Sequence, residues 1–157
     1  MELMEAAAVY LTSKEEVRNT VGKDSVFTQG WIFQEKLYLG SKTLEGSSKV
    51  AVVLNVVGGW DSPNQHNNMS FPRLRVDIWA DPDRNVSRSV VQDNAQEKGM
   101  ATYRAVNKFL HRPQGVESPW GTLRVLKSHR LGEIEFSPVS DGDGVKMGRV
   151  HYGVILG

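Results

Sequence analysis

Residues 71–110 decide the fold and read FPRLRVDIWADPDRNVSRSVVQDNAQEKGMATYRAVNKFL. The first part of this stretch alternates between two kinds of side chain, as a strand with one dry face does. One side is apolar and the other largely polar: Leu74, Val76, Ile78 and Ala80 against Arg73, Arg75, Asp77 and Trp79. Asp81-Pro82-Asp83 then predicts a turn that ends the strand.

The rest of the stretch predicts a long amphipathic helix. Asp83 or Asn85 can cap its start, and His111-Arg112-Pro113 marks its end with positive charge and a helix breaker. A helix of roughly seven turns that follows a half-dry strand is expected to cover the dry face of the sheet. Its stripe recurs at helical spacing: Val91, Ala95, Thr102, Tyr103, Val106, Phe109 and Leu110.

Composition indicates an ordinary globular protein of 157 residues, for which we expect a single domain over residues 1–157. The net charge is +1, so binding to nucleic acid or to an acidic membrane would need a local basic patch. The absence of cysteine excludes disulfides, thiol catalysis and cysteine-rich zinc sites. No apolar run reaches membrane-spanning length, and the first residues lack the basic region of a signal peptide, so a cytoplasmic protein is expected.

The N-terminal part predicts two short helices and then weaker signals. Residues 2–11 place several apolar side chains on one helical face, and Ser13-Lys14-Glu15-Glu16 has a capping-box pattern that starts a second helix running to about Thr20. Gly22-Lys23-Asp24 is expected to end that helix. Residues 25–39 are expected to hold one or two short strands, and residues 40–49 a loop.

Two hairpins are expected on either side of the long helix. Val50–Val57 is a β-branched run that predicts a strand buried on much of both faces, ended by Gly58-Gly59. Residues 60–70, WDSPNQHNNMS, are then expected to form a hairpin loop of about ten residues leading into the strand at Phe71–Ala80.

The second hairpin follows the helix. Residues 121–131 predict a strand with Val125, Lys127 and His129 on one side, closed by Phe136-Ser137-Pro138. Residues 140–144 predict a turn, and residues 149–156 a last strand. Together these elements predict an α+β fold: a mixed or antiparallel sheet of about four or more strands with helices packed on one face.

Candidate catalytic and metal-binding groups are few. The four histidines, His66, His111, His129 and His151, share no metal-ligand spacing. Asp141 and Asp143 begin like a calcium loop but lack its closing glutamate, and Asp77 and Asp83 bracket a strand end without a partner motif of a nuclease. We therefore expect no enzyme, no metal and no cofactor, although a small nuclease remains an alternative.

Several polar and aromatic side chains are candidates for an assembly interface instead. Trp79 lies on the polar side of its strand, where a tryptophan often marks an interface or is covered by another segment. Acidic residues are interleaved with the arginines in sequence, which favours a solvated or subunit-facing surface over a nucleic-acid platform. The candidate interface comprises Trp60, Asn64, Gln65, Asn67, Asn68, Arg73, Arg75 and Trp79.

This order of elements resembles the tail terminator, or tail-completion, proteins of long-tailed bacteriophages. The residues that carry the resemblance are the strand, break and helix of residues 71–110, the segment SPVSDGDGVKMGRVHYGVIL at residues 137–156, and the N-terminal helix MELMEAAAVYLTSKEEVRN. The resemblance implies a small subunit that forms a homo-oligomeric ring, usually a hexamer, and has no catalytic residues. Such a ring caps the tail tube protein and joins it to the neck or head-closure protein.

The resemblance also implies a place and a set of partners. The expected place is the virion, at the junction of tail and neck, after assembly in the host cytoplasm. No membrane partner and no specific nucleic-acid binding are expected, although DNA can pass through the ring. A head-closure or neck connector protein, which also forms rings, is the nearest alternative.

Overall fold

The computed structural model describes residues 2–21, 26–27, 50–61, 70–82, 88–116, 118–139 and 144–157. Within them lie three helices, α1 (Leu3–Thr12), α2 (Glu15–Val21) and α3 (Arg88–Leu110), and six strands, β1 (Val26–Phe27), β2 (Val50–Asp61), β3 (Ser70–Ala80), β4 (Val125–Leu131), β5 (Phe136–Pro138) and β6 (Lys146–Leu156). Several expectations fall outside the described residues: the end of α2 at 22–24, the loop at 40–49, the cap of α3 at 83 or 85, and most of the turn at 140–144.

The strands form one sheet in the order β1-β2-β3-β6-β4, and β5 pairs with β6 beside β4. The β1–β2 pair is parallel and every other pair is antiparallel. The predicted α+β class is therefore confirmed. The expected short strand within residues 25–39 is present at β1, and the remainder of that segment lies outside the described residues.

The core lies where α3 covers the predicted dry face of the sheet. Leu74, Val76, Ile78 and Ala80 of β3 are fully buried, which confirms the alternation predicted for that strand. On α3 the predicted stripe is confirmed at four fully buried positions, Ala95, Thr102, Val106 and Leu110. Tyr103 is also buried and Phe109 is half-buried against the same core. Burial of a valine or leucine side chain contributes about 1.5–3 kcal/mol, so this interface accounts for much of the stability.

Two polar contacts join α3 to the sheet, one inside this apolar layer and one at its edge. The hydroxyl of the fully buried Tyr152 donates to Asn107 Oδ1 at 2.7 Å, and burial raises the pKa of Tyr152. The Arg130 guanidinium donates to the Tyr103 hydroxyl, which raises the pKa of Arg130. Because a buried polar group is costly unless it is paired, these bonds fix one arrangement of helix on sheet.

Both predicted N-terminal helices are present, but Ser13 has a different role from the one expected. Its hydroxyl donates to the Tyr10 carbonyl at 2.6 Å, so Ser13 closes the end of α1 instead of starting α2. The aromatic ring of Tyr10 stacks on the fully buried Trp120 with centroids 5.2 Å apart. This stack connects α1 to the segment that follows α3.

The hairpin between β2 and β3 is longer than expected and its loop is shorter. Gly58 and Gly59 do not end β2: the strand continues to Asp61, where Trp60 pairs with Phe71 and Asp61 with Ser70. The register shifts between Val56 and Gly58, and Gly58 has φ +151°, a backbone conformation that favours glycine. The expectation of a stop was wrong because these glycines absorb a bulge within the ladder.

The second hairpin departs from its predicted alternation for a similar reason. A register shift between Val125 and Lys127 places Ser128, not Lys127 and His129, on the same side as Val125. Ser128 is accordingly buried, whereas Lys127 is exposed. Residues 136–138 form the separate strand β5 instead of closing β4, and β6 begins at Lys146, three residues before the expected start.

The free edge of β4 is covered by the connector that follows α3. The Arg112 N–H donates to the Ser128 carbonyl at 2.6 Å, and the Ser128 N–H donates back to Arg112 at 3.3 Å. The Val116 N–H donates to the Leu126 carbonyl at 3.1 Å. Backbone groups that an edge strand would leave open are therefore paired within the chain.

Two glycines allow an aromatic ring to lie between α3 and β6. The half-buried Phe136 side chain packs against Gly99 in the middle of α3 and against Gly148, its register partner on β6. A methyl group on Gly148 would stand 2.8 Å from Phe136 Cε1. Glycine in the middle of a helix costs about 1 kcal/mol relative to alanine, and here this close approach explains its presence.

Candidate assembly surface

The sheet face opposite α3, called the outer face below, holds the side chains that alternate with the core. These side chains come from four neighbouring strands, and pairing across the strands arranges them in rungs. The outer face comprises Ala51, Val53 and Asn55 on β2; Arg73, Arg75, Asp77 and Trp79 on β3; Met147, Arg149, His151, Gly153 and Ile155 on β6; and Lys127, His129 and Leu131 on β4.

A buried carboxylate lies in this face between two arginines. Asp77 is 5% exposed and pairs in register with Arg149. The Arg149 guanidinium donates to both carboxylate oxygens, with Nε 2.7 Å from Oδ1 and Nη2 3.2 Å from Oδ2. Arg75 Nε lies 3.3 Å from Oδ2. The hydrogen bond to Asp77 raises the pKa of Arg149. Arg149 supplies the hydrogen bonds and Arg75 adds a nearby positive charge, so the carboxylate is compensated for its burial.

His151 lies beside this cluster, and the charges of the cluster affect the pKa of His151. Burial lowers the pKa of His151, and the charges of Arg73, Arg149 and Arg75 lower it further, against an opposing effect of Asp77. Three cations therefore outweigh the one carboxylate at this position.

A shallow groove of about 290 Å³ crosses the outer face where β3, β6 and β4 meet. Gly153 forms its floor, and the His129 ring lies across that glycine, with Cε1 2.9 Å from the position that a Cβ would take. Arg73 and His129 therefore flank an apolar floor. The lining residues are Phe71, Pro72, Arg73, His129, Leu131, Gly153, Val154 and Ile155.

The opposite end of the outer face is bordered by acidic side chains. Glu133 and Glu135, both exposed, line a depression of about 380 Å³ together with Ser137, Met147 and Arg149. The charge of the face therefore changes along β6, from mixed at Arg149 to cationic beyond His151.

Of the residues predicted for an interface, the structure brings three together on the outer face. Arg73 is exposed, and Arg75 and Trp79 are half-buried. Trp60 extends β2 through its backbone pairing with Phe71. Asn64, Gln65, Asn67 and Asn68 lie outside the described residues.

The sequence suggested that Lys127 could gather with Arg73 and Arg75 near one sheet face, but the contribution of β6 and of His129 was not predicted. Arg149, His151, Lys127 and His129 occupy alternate positions on two strands, which was a usable signal in the sequence. Their juxtaposition with Arg73 and Arg75 depends on β6 lying between β3 and β4, and the sequence does not contain that order explicitly.

The described residues contain no group of three or more His, Asp or Glu side chains that could hold a metal ion. Three of the four histidines contact other parts of the fold. His111 Nδ1 accepts a hydrogen bond from the Arg130 N–H at 3.0 Å, the His129 ring lies across Gly153, and His151 lies near the arginines of the outer face. His66 lies outside the described part. None of the helices in the described ranges is long and apolar enough to cross a membrane.

Comparison with known proteins identifies the fold but no family. No family model matches the chain, and no curated protein matches it. Among solved structures, the chain is similar to a chain of the virion of a native gene transfer agent (GTA) particle, with a TM-score of 0.64 and 13% sequence identity. The similarity covers 98% of this chain and 93% of that chain. The two proteins therefore share a fold over nearly their whole lengths.

Proposed function

We propose that this chain is a structural protein of a phage-like virion, and specifically a ring-forming tail terminator that caps the tail tube and joins it to the neck. The observation that carries the proposal is the full-length fold similarity to a chain of a gene transfer agent virion. That similarity covers 98% of this chain and 93% of the other, so it extends over both the sheet and the helices described above. The element order of tail terminators supports the more specific role.

The outer face suits a subunit that makes contacts with other proteins. It combines half-buried apolar side chains, such as Trp79 and Met147, with arginines at its centre. Aromatic and arginine side chains are enriched at the centres of protein interfaces. In the proposed assembly the partners are further copies of this chain, which form a ring of six, together with the tail tube protein and the neck protein.

The first test measures the assembly itself. We expect native mass spectrometry to detect a closed homo-oligomer, and negative-stain microscopy to show a ring with a central hole. Because assembly can depend on the tail tube, the measurement is made on the free protein and on the protein bound to tube ends. A monomer in both settings contradicts the ring.

Tail length separates the terminator from the alternative neck connector. A terminator occupies the end of the tube and stops the addition of tube subunits, so its loss should give tubes longer than normal. Loss of a neck connector should instead leave tails of normal length that are not joined to heads. Normal tail length in a deletion strain would therefore favour the neck connector.

A nuclease is a weaker alternative because of the position of Asp77. Metal-dependent cleavage needs carboxylate oxygens that are free to bind the metal, whereas both Asp77 oxygens face arginine donors. We expect purified protein to show no cleavage of DNA with Mg²⁺ or Mn²⁺. Cleavage that copurifies with the protein and disappears in Asp77→Asn would overturn the non-enzymatic assignment.

A further inference from the structure

Basic side chains form a band across the outer face. Arg75 and His151 share one rung, Arg73 and His129 lie on the next rung with Gly153 between them, and Lys127 occupies the rung after that. Successive rungs on one face are about 6.6 Å apart, so the band is about 13 Å long. These five residues, Arg73, Arg75, Lys127, His129 and His151, are called the cationic band below.

Only part of the charge on the cationic band is neutralised within the described part of the chain. Arg73 and Lys127 are exposed, and neither forms an ion pair with a described residue. Arg75 shares Asp77 with Arg149, which holds that carboxylate through two hydrogen bonds. Glu133 and Glu135 border the face at the Arg149 end, beyond the band. The whole chain has a net charge of only +1, so this is a local concentration of positive charge.

The shape of the band favours an extended anion with repeated charges. Its permanent cations come from β3 and β4, with the histidine side chains between them, and they border a shallow groove at Gly153 instead of a deep pocket. Duplex DNA carries one negative charge per about 1.7 Å of helix axis, so about 13 Å of duplex presents about eight phosphates. Arginine and lysine side chains contact such phosphates without reading the bases.

We propose that the cationic band is a sequence-independent contact surface for the phosphate backbone of duplex DNA. Arg73, Arg75 and Lys127 supply the permanent charges, and His129 and His151 add donors along the same course. This contact does not require a ring. The test of DNA binding and the test of ring assembly can therefore fail independently.

The test measures the affinity of the full chain for a labelled 20-base-pair duplex by fluorescence anisotropy. The NaCl concentration is varied from about 50 to about 200 mM. Affinity should fall with salt, with a slope of log K against log salt near −0.9 for each phosphate contacted. Arg73→Gln and Lys127→Gln should each weaken binding to several unrelated duplexes equally and reduce the magnitude of the slope by about 1.

Arg104→Gln is the matched control, because Arg104 is an exposed arginine on α3, on the other side of the sheet. This variant removes the same charge and should change the affinity less than either band variant. Circular dichroism and thermal melts should be the same for all three variants. Equal weakening by Arg104→Gln, or no binding at 50 mM NaCl, overturns the proposal.

Polyglutamate competition separates DNA from an acidic protein partner. Duplex DNA should displace polyglutamate of the same total charge, and Arg73→Gln should affect DNA binding more than polyglutamate binding. If polyglutamate binds as tightly as DNA and is weakened equally by Arg73→Gln, the band is a docking surface for acidic protein and the DNA assignment is wrong.

Discussion

Replacing Gly99 with alanine, alone and together with Phe136→Ala, tests the packing between α3 and β6. Alanine in the middle of a helix should stabilise the folded state by about 1 kcal/mol relative to glycine. A methyl group on Gly99 would, however, stand 2.7 Å from Phe136 Cζ, where carbon atoms in contact prefer about 3.5–4.0 Å. The ring cannot simply retreat, because Gly148 lies against it as well.

The sign of the effect should therefore depend on Phe136. Overpacking of this kind costs about 1–3 kcal/mol, so Gly99→Ala should give no gain or destabilise the protein by up to about 2 kcal/mol. In a Phe136→Ala background the space is open, and Gly99→Ala should stabilise by the helical propensity of about 1 kcal/mol. The resulting coupling energy is about 1–3 kcal/mol, large enough for a double-mutant cycle to resolve.

Urea unfolding followed by circular dichroism measures all four proteins of the cycle. Ala101→Gly is the matched control, since Ala101 is exposed on the same helix and should cost about 1 kcal/mol with or without the Phe136 ring. If Gly99→Ala stabilises both backgrounds equally, Phe136 does not lie against α3 and the described packing is wrong.

Three other predictions address the core, the outer face and the hairpin. Leu110→Ala, at a fully buried position, should cost about 2–5 kcal/mol in urea unfolding, and Arg104→Ala on the exposed side less than about 0.5; similar costs would contradict the helix orientation. The pKa of His151 is lowered on folding, so the unfolded chain takes up the proton first as pH falls below about 6.5, and stability should decrease from there towards the folded pKa. Urea unfolding from pH 8 to 5 should show a smaller decrease in His151→Gln; an unchanged pH profile would contradict the lowered pKa. Replacing residues 62–68 with a glycine-rich turn should leave the melting temperature of the isolated subunit nearly unchanged but impair ring formation or tail joining in complementation; normal particle yield would show that the loop is dispensable.

Periodicity predicted the elements of the core but not the irregular positions between them. The alternation of β3 and the stripe of α3 were confirmed because each reflects burial on one face of a regular element. The register shifts after Val56 and Val125 each interrupt the alternation of inward and outward side chains at one residue. At Gly58-Gly59 the local composition is the same for a bulge as for the end of a strand, so the sequence could not distinguish them.

The candidate surface was predictable only in part. Arg73, Arg75 and Trp79 could be placed on one face from β3 alone. The Asp77–Arg149 pair joins residues 72 positions apart, so it follows from the position of β6 beside β3. The same strand order places Lys127 and His129 near Arg73 and Arg75. In the sequence, acidic residues are interleaved with these basic ones, so the sequence alone suggested a more neutral surface than the fold produces.

The connector over β4 limits how molecules of this protein can join edge to edge. On the other side of the sheet, β1 pairs with Val52 and Val53 of β2, and on the β4 side the three-residue strand β5 pairs, among the described strands, with β6 alone. Closing the β4 edge therefore shortens the stretch of backbone on that side to which a second molecule could add a strand.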